Sequence, residues 1–507
     1  MRKNLVLLLL LLSVPAFARR VELTVIHTTD LHGHVLPTTD YAGRGNVGGV
    51  LRCATLIGQI RADHPNNLLV DCGDLFQGGP ESFLTDGKLM MKVCEWLKYD
   101  AWCIGNHEFD WGLDKLSALE ETTKLTVLGA NIGVRDGGVN RLKRVQPFIV
   151  KEFDGVRVAI VGLTTPGVPT WSRPNLLGDQ VFLGSVDALQ KWMPAVRSAK
   201  PDIIVLITHQ GLRPADDHAN EIHAIATAFP EIQFIIGGHS HKKIEHDYIG
   251  KTLFTQAGYY GIWLGELDIA YDNVAHQVIS ADAKIMDVDT TVKPEPELEK
   301  LCKPEIARAK EYLAEKIGSA DDKLEAKPGP HGNSAIQMLL CRAIAGVAKA
   351  DIVLHGSLTD DPLTAGEITM ADAWRVVPYE NTIGVVHITP EQIARILDEN
   401  GDRTSSVHFM GAFGLHFDWE KGADGKKHAV KLRDADDKPL HGRKRYAVAL
   451  NSFNLASGGH RFPAIREIAD TPESRLEMAG GDTRGALVDY IKKNSPLKRD
   501  AIMAGAQ

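Results

Sequence analysis

Five apolar runs of strand length in the first half of the chain each end on a polar cluster. They read LTVIHTTDLHGH (23–34), NLLVDCGDLFQGG (67–79), AWCIGNHEFDWG (101–112), DIIVLITHQG (202–211) and IQFIIGGHSH (232–241). The runs are continuous rather than alternating, which predicts strands covered on both faces. Segments between them, such as GGVLRCATLIGQIRADH (48–64) and SVDALQKWMPAVRSAK (185–200), predict helices. Strands alternating with helices imply an α/β fold with a largely parallel sheet. In such sheets ligands bind at the carboxyl ends of the strands. Each of the five strands delivers His, Asp or Asn at that end. One such cluster means little; five in order are hard to ascribe to chance.

Around residue 290 the texture changes. PEPELEKLCKPEIARAKEYLAEKIGSADDK (294–323) is charged and helical in pattern, so a linker helix is expected over 291–322, interrupted at Pro304. It would join an N-terminal domain over 19–290 to a smaller α/β domain over 323–507. The second domain has its own helix in NSAIQMLLCRAIAGVAKA (333–350) and a strand in DIVLHG (351–356). Further strands are expected in TIGVVHIT (382–389) and RYAVALNSF (445–453), and a last helix in GALVDYIKKN (485–494).

At 507 residues, with 44% apolar and 24% charged positions, the chain is globular and too long for one core. It opens on MRKNLVLLLLLLSVPAFARR, a basic start, a short apolar run and a small-x-small end. That pattern predicts a signal peptide over 1–18, cleaved after Ala18, and an exported protein, periplasmic or secreted. The alternative, a membrane anchor, needs about 20 apolar residues. No cysteine follows the cleavage site to carry a lipid, so no stable membrane anchor is expected. The net charge of -8 argues against a nucleic acid polymer or an anionic membrane as partner. A small anionic substrate stays compatible, because a metal reverses the sign inside a cleft. The six cysteines show no C-x-x-C and no dense framework, though export permits one disulfide among them.

The candidate chemistry lies in the polar clusters: Asp30 and His32, Asp74, Asn106 and His107, His209, and His239 with His241. Any one histidine of this kind is more often an ordinary hydrogen-bonded residue. Together, mixed His, Asp and Asn donors suit divalent zinc, manganese, cobalt or iron. A shared carboxylate can bridge two such ions about 3.5–4 Å apart, the geometry of two-metal phosphoryl hydrolysis.

The order D-x-H, GD, GNHE, H, GH-x-H resembles the calcineurin-like metallophosphoesterases. TTDLHGHVLP, GDLFQGGPES, GNHEFDWG, GGHSH and QAGYYGIWLG narrow the likeness to their 5'-nucleotidase/UDP-sugar hydrolase family. The resemblance implies a four-layer α/β/β/α domain, a linker helix and a C-terminal substrate-binding domain that rotates on it. It implies two divalent metal ions, one on Asp30, His32, Asp74 and His241, the other on Asp74, Asn106, His209 and His239. A metal-activated hydroxide would attack phosphorus in line. His107 would face the phosphoryl group or protonate the leaving oxygen, with Asp110 orienting its ring. Glu108 would be structural.

The same likeness implies a nucleobase held between two aromatic rings. Phe462 in NSFNLASGGHRFP corresponds to one; Phe409, with Phe413 as runner-up, to the other. Two segments depart from the family. Its NGGGIR-like turn reads LHGSLT (354–359), and GGDGF has become GGHRF, which brings in Arg461. Arg461, Arg375 or Arg342 could supply the lost anion contact. The expected activity is therefore release of phosphate from nucleoside 5'-monophosphates or related nucleotides. The alternatives are UDP-sugar or dinucleotide pyrophosphatase, 2',3'-cyclic phosphodiesterase and thiosulfohydrolase chemistry on the same core. A nucleotide-binding protein without activity is a further alternative, disfavoured because binding alone has no need of such a ligand set.

Overall fold

The computed structural model describes residues 20–328, 333–401 and 410–505. The signal-peptide segment and Phe409 lie outside the described residues. The apolar runs become the parallel centres of two stacked sheets. In the seven-stranded sheet Arg20–Thr28, Asn67–Asp71, Ala101–Cys103 and Val127–Leu128 lie side by side, with Trp263–Asp272 and Gln277–Asp287 antiparallel at one edge. The six-stranded sheet has Val156–Leu163, Ile203–Thr208, Phe234–Gly237 and Thr252–Ala257 at its parallel centre.

Alternate residues of each strand serve different layers. Val25, Leu68, Val70 and Cys103 meet Val158, Val205, Ile207 and Ile236 between the sheets. Ile26, Leu69 and Trp102 face the helices Val50–Asp63, Lys88–Leu97 and Leu113–Thr122. Val161, Leu206 and Ile235 face Ser185–Ser198 and Ile222–Ala228. The result is the four-layer α/β/β/α sandwich, and it accounts for the unbroken apolar runs, since both faces of each strand are dry.

The helix Pro296–Leu313 follows, its first turn closed by Glu295, which accepts from the Leu298 amide at 2.6 Å. It runs through Pro304 without a break, contrary to the sequence expectation. Proline removes one helical hydrogen bond, and burial of Leu298, Cys302 and Ala309 along one stripe holds the helix on either side. The smaller C-terminal unit is built on a five-stranded mixed sheet in the order Gly411–Phe413, Ile352–His355, Tyr446–Asn451, Thr382–Ile388, Glu477–Asp482. Helix Ala335–Ala348 opens on a capping box between Ser334 and Gln337 and packs on this sheet with Thr483–Asn494. All six cysteines are buried free thiols.

Candidate metal centre

Turns at the carboxyl ends of the parallel strands bring the seven candidate ligands to one rim. Asp30 and His32 follow Arg20–Thr28, Asp74 follows Asn67–Asp71, and Asn106 follows Ala101–Cys103. His209 follows Ile203–Thr208, while His239 and His241 follow Phe234–Gly237. Five of them, Asp30, His32, Asp74, His239 and His241, have φ between 47° and 68°. Non-glycine residues seldom adopt this left-handed backbone, which concentrates at functional sites. Gly105 shows how close the turns approach: a Cβ there would lie 2.3 Å from Asp74 Oδ1.

The histidines are oriented from behind. His32 Nδ1 is 3.0 Å from the Gln77 carbonyl, and His209 Nδ1 is 2.8 Å from the Cys72 carbonyl. A carbonyl only accepts, so each Nδ1 carries a proton and each Nε2 is left facing inward. His241 Nδ1 meets the Tyr41 hydroxyl at 2.7 Å. The inward atoms crowd together. His32 Nε2 is 3.2 Å from His241 Nε2 and 3.7 Å from Asp74 Oδ2. His209 Nε2 is 3.0 Å from Asp74 Oδ2 and 3.1 Å from Asn106 Oδ1. His241 Nε2 is 3.1 Å from Asp30 Oδ1. Lone pairs and carboxylates at these separations need positive charge among them.

Protons supply that charge unevenly. Burial holds His32 and His239 down to about 3, against the pull of Asp74 and Asp30. For His209 burial also pulls down, but Asp74 and Asp30 outweigh it and lift the ring to about 9. Asp74 is held well below the usual carboxylate range, because facing histidines overcome its burial. Two donor groups, Asp30–His32–His241 and Asp74–His209–His239, each gather ligand atoms within 4.8 Å, so the residues fit divalent cations. Asp74 also falls in a third group with His32 and His107.

His107 takes a different position. Its amide donates to Asp74 Oδ1 at 2.8 Å, and its Nδ1 lies 2.6 Å from Asp110 Oδ2. Burial opposes the charged ring, but Asp110 and Asp74 raise it to about 10. Glu108, next in the chain, accepts from the amides of Asp74, Leu75 and Gly105 at 2.9, 2.7 and 2.6 Å. It ties the turn of Asp74 to that of Asn106.

A cavity of about 300 Å³ opens onto this rim. Asp74, Asn106, His107 and Trp171 line one side; Ser357, Tyr379, Asn381, Asn454, Arg461 and Phe462 line the C-terminal side. Arg461 is the candidate arginine that reaches it. Arg342 is spent on the Ile502 and Ala504 carbonyls, and Arg375 on the Pro362 carbonyl and Asp372. Phe462 touches the cavity but is only 3% exposed and belongs to the C-terminal core. Phe413 packs in that unit's core under Arg342 instead. Sequence reasoning missed Phe453, a half-buried ring on the cavity wall, although it stands in the quoted NSFNLASGGHRFP segment. It also missed Tyr41, Trp171 and Tyr379, which lie outside the strand-end clusters.

Comparison with known proteins agrees with this architecture. Residues 23–243 match the calcineurin-like phosphoesterase family and residues 316–467 the 5'-nucleotidase C-terminal domain. The chain is 27% identical to Protein UshA of Yersinia enterocolitica, covering 94% of this chain and 92% of that protein. It is 26% identical to a 5'-nucleotidase of Vibrio cholerae, covering 94% and 91%. The fold matches the crystal structure of a 5'-nucleotidase precursor from Thermus thermophilus with a TM-score of 0.70 at 22% identity, covering 93% of this chain and 96% of that one. Among the described residues no helix is long and apolar enough to cross a membrane. The chain is a metal-dependent hydrolase of the calcineurin-like metallophosphoesterases that carries the 5'-nucleotidase C-terminal domain and belongs with the 5'-nucleotidase and UshA proteins.

Proposed function

We propose that this chain is an exported phosphohydrolase that uses two divalent ions to release phosphate from nucleoside 5'-monophosphates or related nucleotides. The observation that carries the reading is the convergence of inward Nε2 atoms and carboxylate oxygens around Asp74. Asp30, His32, Asp74 and His241 would hold one ion and Asp74, Asn106, His209 and His239 the other, with Asp74 shared. When bound, such a pair supplies an activated water and neutralises phosphoryl oxygens. His107 would donate from Nε2 to the leaving oxygen, while Asp110, 2.6 Å from its Nδ1, keeps that side of the ring engaged. The C-terminal wall offers Phe453 and Phe462 to a base and Arg461 to an anionic or polar substituent.

The test is phosphate release by the purified chain from AMP, UDP-glucose, 2',3'-cyclic AMP and a thiosulfate conjugate, with manganese, cobalt and zinc supplied separately. Preference for AMP supports the proposal. Preference for another substrate reassigns the specificity, and inactivity of the metal-loaded protein on all four overturns the hydrolase reading.

A further inference from the structure

One of the stretches by which the C-terminal unit reaches the reacting centre is residues 377–381, between helix Met370–Val376 and strand Thr382–Ile388. Its two central residues point to different tasks. The Tyr379 ring lies nearly parallel to the His107 imidazole, at 13° with centroids 5.9 Å apart. Such an offset stack is within the favourable range for aromatic pairs. Neighbouring Glu380 is bound across the boundary between the units. Its Oε2 accepts from Trp111 Nε1 at 2.9 Å and from Gln77 Nε2 at 3.1 Å, both in the metal-binding unit. Its Oε1 accepts from Arg484 Nη2 at 2.8 Å, within its own unit.

This carboxylate is not a surface contact. The Glu380 and Arg484 side chains are 8% and 5% exposed. Arg484 is itself fixed by the Val377 carbonyl at 2.8 Å and stands 3.5 Å from the centre of the Trp374 ring. Arg484 alone leaves Oε2 without a donor; only the metal-binding unit completes the set. A buried carboxylate that loses hydrogen-bond donors incurs a large desolvation cost. The network is therefore whole in one arrangement of the two units, the one that lays Tyr379 against His107. Gln77 and Trp111 come from GDLFQGG and GNHEFDWG, the same turns that carry Asp74, Asn106 and His107.

We propose that Glu380 is a positioning residue that latches the two units and so sets the Tyr379 ring over His107. The covered ring loses water on that face, which strengthens its pairing with Asp110 in a drier setting. The proposal rests on the hydrolase reading above, but its structural half does not. It assigns the work to the Tyr379 ring rather than to its hydroxyl.

The test compares wild type with Gln77→Met/Trp111→Phe, Tyr379→Phe and Tyr379→Ala, all metal-loaded. AMP and p-nitrophenyl phosphate are the substrates. The double variant removes both cross-unit donors while retaining bulk at both positions. It is expected to lower kcat by about tenfold or more on both substrates at unchanged metal content, the scale at which misplaced catalytic groups are felt. Tyr379→Ala should match it, and Tyr379→Phe should stay within about twofold of wild type, since it keeps the stack. Wild-type kcat in the double variant or in Tyr379→Ala overturns the proposal, and so does a Tyr379→Phe loss equal to that of alanine. Should the double variant lose metal or unfold, Trp111→Phe alone carries the comparison. Hydrogen exchange separates the two ideas if wild type turns over neither substrate. The double variant should exchange faster across residues 377–381 in the full chain, and unchanged exchange there refutes the latch.

Discussion

The two walls of the cavity solve different physical problems. On the metal-binding side, carboxylates and imidazoles are buried within about hydrogen-bonding distance of one another, and Asp30, His32, Asp74, His209 and His241 are each braced by a carbonyl, an amide or a hydroxyl. On the C-terminal side the lining is mostly neutral: Ser357, Asn381, Asn451, Asn454 and two phenylalanines, with Arg461 as its cation. The first wall gathers carboxylates and ring nitrogens that a cation can bind. The second holds groups that can be exchanged without disturbing that set.

The largest effect should come from the residue shared by the proposed metal sites. Asp74→Asn is expected to weaken both ions together, read by metal content after gel filtration, and to abolish phosphate release. Loss of one ion alone would break the bridging assignment. His107→Ala should retain both ions and lower kcat by about 10²–10⁴-fold, as for a general acid. Metal lost in parallel would make His107 a ligand, the role that its grouping with His32 and Asp74 keeps in view.

Smaller effects sharpen the contrast between the walls. Glu108→Gln keeps the shape but cannot accept from all three amides, and should cost about 1–3 kcal/mol of stability by denaturant melts. On the opposite wall, Phe453→Ala should raise KM for AMP by about tenfold, the lower part of the range for base stacking, and leave phenyl phosphate nearly unaffected. Equal shifts for both would refute a stacking role. Phe462 is the poorer probe, because its burial makes an alanine variant a cavity in the core.

A further test is pH. His27, in the metal-binding unit, and His355, in the C-terminal unit, are fully buried and held neutral by burial, down to about 3 and about 4. Unfolded, each would bind a proton below its ordinary value near 6.5. Their neutral state thus contributes full stability above that pH, and stability falls on acidification toward 4, by at most about 1.4 kcal/mol per pH unit for each ring. Melting temperatures between pH 7 and 4 should show the slope, and His27→Leu should flatten it.

Much of the metal-binding wall was legible in the sequence, since the strands that carry it are dry on both faces and end abruptly on polar residues. Asp30, Asp74 and His209 stand where an apolar run stops. Tyr41, Trp171 and Tyr379 carry no such mark, because they enter from loops whose approach is set by tertiary packing. Glu108 was legible as structural, but its three amide partners depend on Gly105 and Asp74 lying in adjacent turns. Pro304 misled through its local cost, which packing of the linker helix outweighs. On the C-terminal wall, a buried Phe462 and a cavity-facing Phe453 look alike in a string of letters.

The left-handed turns at Asp30, His32, Asp74, His239 and His241 also govern how these positions can be probed. Alanine at any of them would remove a proposed ligand and at the same time force an unfavourable torsion, so its phenotype would mix chemistry with misfolding. Asparagine tolerates that torsion far better. For Asp30 and Asp74 it is thus the replacement that isolates the lost charge.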